Sequence, residues 1–107
     1  MRYRVEELLL DDGTSPYADW FARLGPVEAA KVTVAMVRME QGNFSCVKWF
    51  RGIGEYKIDW GPGYRIYLAK DGKTLIVLLG GGTKKSQRKD IERALDLWKG
   101  YKQGKRD

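Results

Sequence analysis

Five glycine-bearing breaks between residues 42 and 82 cut the second half of this chain into strand-length pieces, and this punctuation restricts the fold more than any other feature. Gly42-Asn43, the Gly52/Gly54 turn, Gly61-Pro62-Gly63, Asp71-Gly72 and Gly80-Gly81-Gly82 leave segments 47–50, 55–60, 64–69 and 74–79 between them. Segments this short, rich in aromatic and β-branched residues and bounded by turn chemistry, predict an antiparallel meander. Segment 74–79 is almost continuously apolar, as a central strand buried on both faces should be, and the triple glycine then ends the sheet.

Upstream the apolar period changes. Residues 2–10 read as a first strand, with Tyr3 and Val5 alternating against charges. Asp11-Asp12-Gly13 turns the chain, Ser15 can cap a helix whose first position is Pro16, and Tyr17, Trp20, Phe21 and Leu24 follow at helical spacing. Gly25 stops that helix and Pro26 opens a second over 27–40, with Ala30, Val34 and Val37 as its stripe and Val27 leading in. Helices joined so tightly predict an antiparallel hairpin. After the meander, Ser86 can cap a last helix bearing Ile91, Ala94, Leu95, Trp98 and Tyr101. The predicted fold is α+β, one domain over residues 1–107 in the order β-α-α-β-β-β-β-α. It has a small antiparallel sheet with a mixed edge, an N-terminal helical hairpin and a C-terminal helix.

With 107 residues, 43% of them hydrophobic and 32% charged, the chain suits a globular domain with one modest core. No apolar run approaches the roughly 20 residues that span a bilayer, and acids bracket the short stretch 8–10, so neither a membrane nor export is expected. The lone Cys46 excludes an internal disulfide and suits the reducing cytoplasm; it reads as a half-buried strand residue. There is no histidine. That excludes His-based acid–base catalysis, Ser-His or Cys-His nucleophiles and His metal sites, and without clustered carboxylates no metal or other cofactor is expected. Any chemistry falls to Lys, Arg, Tyr and carboxylates.

The net charge of +6 is uneven: residues 84–107 carry nine Lys/Arg against four acids. Such a surface attracts nucleic acid, a ribosome or an acidic protein, although simple solubility accounts for it equally well. If the Gly61-Pro62-Gly63 turn centres its hairpin on Pro62, Lys57 stands across from Tyr67 and Asp59 across from Arg65. Alternation then gathers Lys57, Asp59, Arg65 and Tyr67 on one open cationic face. Tyr56, Ile58, Trp60, Tyr64, Ile66 and Leu68 share the other, which packs on a helix.

Residues 61–95, GPGYRIYLAKDGKTLIVLLGGGTKKSQRKDIERAL, resemble RelE/ParE-superfamily toxins of toxin–antitoxin modules, closest to the phage-derived killer-protein branch that includes HigB-like toxins. The match rests on Gly61 through Tyr67, on Gly81-Gly82, and on Lys84 through Gln87 leading to Asp90-Ile91, with Gly42-Asn43 and Glu55-Tyr56-Lys57-Ile58 adding to it. The resemblance implies a metal-independent mRNA endonuclease that acts with the ribosome and halts translation. In such enzymes a 2′-hydroxyl attacks the adjacent phosphate, and the protein assists deprotonation, neutralises the phosphorane and helps the 5′-oxygen leave. It also implies that Arg65 binds phosphate, Lys57 serves the attacking oxygen and Lys84 contacts the scissile phosphate, with Lys48 and Lys85 as further RNA contacts and Tyr67 stacking on a base or donating a proton. Each has a plainer reading: Arg65 as an ion pair to Asp59, the lysines as solvated surface, Tyr67 as a half-buried strand residue. Asp59 departs from the family by replacing a second strand lysine, and the last helix lacks the aromatic acid–base of some relatives. The superfamily also contains ParE-like toxins that poison DNA gyrase without cutting RNA, and a degenerate copy acting only in transcriptional control is a third reading. All imply a cognate antitoxin, a small helix-turn-helix protein.

Overall fold

Ser15 starts the first helix as its chemistry dictates: its Oγ accepts the Ala18 N–H at 3.0 Å and Pro16 takes the first helical position. The computed structural model describes residues 2–106; Asp107, counted above in the basic tail, lies outside the described residues. The elements are β1 (Arg4–Glu7), α1 (Pro16–Ala22), α2 (Pro26–Glu40), β2 (Val47–Phe50), β3 (Ile53–Ile58), β4 (Tyr64–Asp71), β5 (Leu75–Thr83), a 3-10 turn (Lys84–Ser86) and α3 (Gln87–Arg106). The fold is α+β in the predicted order.

One five-stranded sheet runs β1-β5-β4-β3-β2, with β1 parallel to β5 and every other pair antiparallel. Strand β5 is central, and its alternation feeds both sides: Ile76 and Leu78 face α1 and α2, while Val77 and Leu79 face α3. The first layer packs Tyr17, Trp20, Val32, Ala35 and Met39 on Tyr56, Ile66 and Leu68; the second packs Ala94 and Trp98 on Ile53, Tyr67 and Ala69. Both faces of the sheet are therefore covered, so a chain this small buries two apolar layers rather than one. No helix among the described residues is long and apolar enough to cross a membrane.

Several local expectations are corrected. The inward stripe of α2 is Val32, Ala35 and Met39, whereas Val27, Val34 and Val37 are exposed; two apolar rows compete on this helix, and the sheet takes the row carrying the methionines. The triple glycine does not end the sheet. It lies inside β5, where a Cβ on Gly81 would collide with the Trp20 ring and one on Gly82 with the Asp90 carboxylate. Here glycine admits α1 and α3 to opposite faces of the same strand. Strand β1 is shorter than the 2–10 segment. Gly54 belongs to β3, where a Cβ would stand 2.8 Å from Val47 Cγ1, and the preceding turn is Arg51-Gly52. Cys46 is exposed just before β2 rather than half-buried within it.

That tight turn stores strain. Arg51 and Gly52 both lie in the left-handed region, at φ 53° and 89°, the geometry that favours Asn-Gly in two-residue hairpins. Relief of about 1–2 kcal/mol of steric cost at a non-glycine left-handed residue exceeds the 0.2–1 kcal/mol of an exposed ion pair, here Arg51 to Glu92 at 2.9 Å. Arg51→Asn is accordingly expected to raise the urea midpoint, by roughly 0.5–1 kcal/mol of stability; a lowered midpoint contradicts this.

Tyr17 makes the fold sensitive to alkali. Burial, reinforced by Glu7, pushes its hydroxyl from 10.0 up to about 12. With the folded value above the unfolded one, its stabilisation is whole below pH 10 and is lost as pH rises towards 12. Tyr17→Phe keeps the ring and removes the titration. Its stability, followed by denaturant unfolding, is expected to fall less steeply between pH 10 and 12 than that of the wild type; equal slopes refute the assignment.

Candidate functional site

Antiparallel register builds two rows of side chains across the α3 side of the sheet. One runs Lys48, Glu55, Tyr67 and Gly80; the next runs Lys57, Arg65 and Gly82. Lys57 thus faces Arg65, not Tyr67, and Asp59 pairs with neither because β3 ends at Ile58. The reason is the connection: Ile58 pairs with Tyr64, centring the hairpin on Gly61, with Gly61 and Gly63 at φ 58° and 77°. Moving the centre by one residue moves every partner by two, so the shared face survives while the pairs change. Trp60, expected on the helix-facing side, is exposed, stacks on Tyr64 at 6.3 Å and lies under Lys31 Nζ at 5.0 Å.

The polar face is not open either. The apolar stripe of α3 has to be buried somewhere, and it packs on this face, so Arg65 and Tyr67 are 4% and 1% exposed. The acid that meets Arg65 is Glu55, also buried, with its Oε2 3.6 Å from Arg65 Nε. The same oxygen accepts the Tyr67 hydroxyl at 3.0 Å and Gln87 Nε2 at 2.9 Å. Arg65 Nη1 donates to the Gly63 carbonyl at 2.9 Å, and the backbone N–H of Lys84 donates to that same carbonyl at 3.0 Å. Arg65 Nε is buried with no hydrogen-bond partner among the described residues. Burial first, then the Glu55 carboxylate, pushes the Tyr67 hydroxyl well above its ordinary value, so it stays protonated and serves as a donor. Buried and bound in this way, Tyr67 cannot stack on a base.

The structure does bring the three principal candidates together. A Cβ on Gly63 would lie 3.1 Å from Arg65 Nη1 and 3.6 Å from Lys84 Cβ, while Lys57 is the cross-strand neighbour of Arg65. Lys57 and Lys84 are exposed beside the buried guanidinium. Lys48 is exposed at the end of the first row, its Nζ 6.0 Å from the Phe50 ring centroid. Lys85 is exposed in the 3-10 turn. At the start of α3 the Ser86 hydroxyl donates to Asp90 Oδ2 at 2.5 Å, so its hydrogen goes to the carboxylate in the first turn.

Sequence reasoning missed Glu55, Gln87 and Asp90. Period-two alternation already set Glu55 on the face of Lys57, so that signal was available; the bond from Gln87 needs the docking of α3 and had none. Among the described residues, no group of three or more Cys, Asp or Glu is placed to hold a metal ion. Buried and paired with Glu55, Arg65 is not placed to bind a phosphate directly as expected; what the cluster offers an oxyanion is the two exposed lysines, Lys57 and Lys84, on either side of it.

No family model matches the chain. A Haemophilus influenzae protein, described as an uncharacterized protein, is 40% identical over 83 residues, covering 76% of this chain and 84% of that protein.

Proposed function

We propose that this chain, which belongs to one family with that Haemophilus influenzae protein, is the toxin of a RelE/ParE-type toxin–antitoxin pair and cuts mRNA in the cytoplasm without a metal. The observation that carries the reading is the grouping about Arg65, with Lys57 its cross-strand partner and Lys84 beside it at Gly63. In the proposed reaction a ribose 2′-oxygen attacks the neighbouring phosphorus as the bond to the 5′-oxygen breaks, leaving a 2′,3′-cyclic phosphate and a 5′-hydroxyl. Negative charge builds on the phosphorane, and preorganised cations lower its energy most where water is excluded. Lys57 and Lys84 are free to meet the phosphate. Arg65 supplies a fixed positive field from beneath, held by Glu55 and the Gly63 carbonyl. Glu55 acts as a positioning residue, since Tyr67 and Gln87 already engage its Oε2.

A second reading draws on a different observation. The ridge Val27, Val34 and Val37 on α2 faces solvent, and exposed apolar rows suit a protein partner such as DNA gyrase in a ParE-like mode, or the antitoxin. Expression in cells separates the readings. Transcripts cut within codons by the wild type, and left whole by the Lys57→Ala/Lys84→Ala pair, support the nuclease. Whole transcripts with linearised DNA support gyrase poisoning, and neither outcome leaves a degenerate toxin acting only with its antitoxin. Co-purification from the native operon is expected to bring down a small helix-turn-helix antitoxin; its absence counts against the pair.

A further inference from the structure

A cavity of about 80 Å³ lies beside Gly80 and Gly81, at the edge of β5 that β1 leaves uncovered, and is walled by α1 from one face of the sheet and α3 from the other. Its walls include Trp20 and Arg23 at the end of α1, Tyr67 and Gly81 in the sheet, and Asp90 and Arg93 on α3. The space depends on missing side chains: where Gly80 would carry a Cβ, nothing lies within 4 Å. On the same scale a water needs only about 10–15 Å³, so the cavity accommodates a group of several atoms. Arg23 and Arg93 are exposed at its rim, and neither forms an ion pair among the described residues. The one acid in the wall, Asp90, accepts from the Ser86 hydroxyl, and with two arginines against one carboxylate the lining is net positive. Two unpaired guanidiniums brought from separate helices to one small polar cavity offer forked donors of the kind that clasp phosphate oxygens.

The cavity and the candidate site lie along one strand, with Gly80 and Gly81 in the cavity wall and Lys84 directly after the end of β5. Tyr67 forms part of its wall and donates to Glu55, which faces Arg65. We propose that it is a second phosphate subsite, seating the phosphate of an RNA strand next to the one held by the Lys57–Arg65–Lys84 cluster, with Arg23 and Arg93 as its ligands. This rests on the RNA reading above. It adds a track for the strand running from the Gly63 corner across β5 towards α1, so substrate is gripped at two consecutive phosphates rather than one.

The test is equilibrium binding of a 2′-O-methyl oligoribonucleotide, which carries the phosphates but no attacking hydroxyl, over a salt series. Wild type is compared with Arg23→Ala/Arg93→Ala, Arg23→Lys/Arg93→Lys and Lys57→Ala/Lys84→Ala. Losing one phosphate contact on a single strand is expected to make the slope of log K against log salt shallower by about 0.7. The alanine arginine pair should show this change, and the lysine replacements should keep most of the slope. Both arginines are exposed and unpaired, so the melting temperature should not move. Unchanged affinity and slope in the alanine arginine pair, with loss in Lys57→Ala/Lys84→Ala, overturns the subsite and leaves the RNA reading standing. Loss in the arginine pair alone overturns the shared track, because the strand is then held at the cavity and not at the cluster. If the wild type binds no RNA but inorganic phosphate moves the Gly81 amide resonance in an arginine-dependent way, the anion comes from another source and the proposal falls with the RNA reading.

Discussion

Glu55→Ala is expected to cost about 3–5 kcal/mol, the range for removing one partner of a buried ion pair and leaving the other charge uncompensated. In a domain of this size each kcal/mol moves the melting temperature by roughly 4–8 °C, so a fall of about 12–40 °C should be seen by circular dichroism. The loss is large because several groups depend on one oxygen. Arg65 would keep only the Gly63 carbonyl, and Tyr67 and Gln87 would lose their acceptor beneath α3. Two companions separate charge from hydrogen bonding. Glu55→Gln retains an oxygen for Tyr67 but no charge for Arg65, and should fall between wild type and alanine. The double variant Glu55→Met/Arg65→Met should recover much of the loss, because an apolar pair of similar volume needs no counter-charge. A fall of under about 5 °C for Glu55→Ala would mean that the pair is dispensable to the fold.

Lys57→Ala should leave the melting temperature in place, since the residue is exposed, yet lower the cleavage rate by about 10²–10⁴, the range for losing a positioned proton-transfer group. Lys84→Ala should lose rate as well, with the double variant losing less than the product of the two because groups acting on one transition state are not additive. Single-turnover cleavage of a short RNA on ribosomes reads this directly. A rate within threefold of wild type for both single variants, with folding intact, would remove the lysines from the chemistry. The contrast between the two substitutions is instructive: neighbouring positions on one sheet face, 55 and 57, are expected to fail in stability and in rate respectively, because α3 covers one and leaves the other in water.

Much of the local architecture was legible in the chain. Ser15-Pro16, Gly61-Pro62-Gly63 and the apolar run before Gly80 each carry their own conformational instruction, and the elements formed where those signals stand. Alternation also placed Lys57 and Arg65 on one face, and that held although the hairpin centre moved from Pro62 to Gly61. The inward row of α2 was not legible. Ala30, Val34 and Val37 form as good a periodic stripe as Val32, Ala35 and Met39, and only the sheet beneath chooses between them. The glycines of β5 looked like an ending because no short-range feature distinguishes a turn glycine from one that lets Trp20 or Asp90 approach.

The sequence by itself determined the order and kind of the elements and the gathering of cationic strand residues, both consequences of bonds and steric preferences between near neighbours. Tertiary structure alone decided that α3 lies over the polar side of the hairpin, turning Arg65 from a surface cation into a buried one held by Glu55 and leaving Lys57 and Lys84 exposed around it. That choice belongs to no single segment: burying the stripe of α3 on Ile53, Tyr67 and Val77 is a gain shared between residues far apart in the chain, and it exists only once the sheet has assembled.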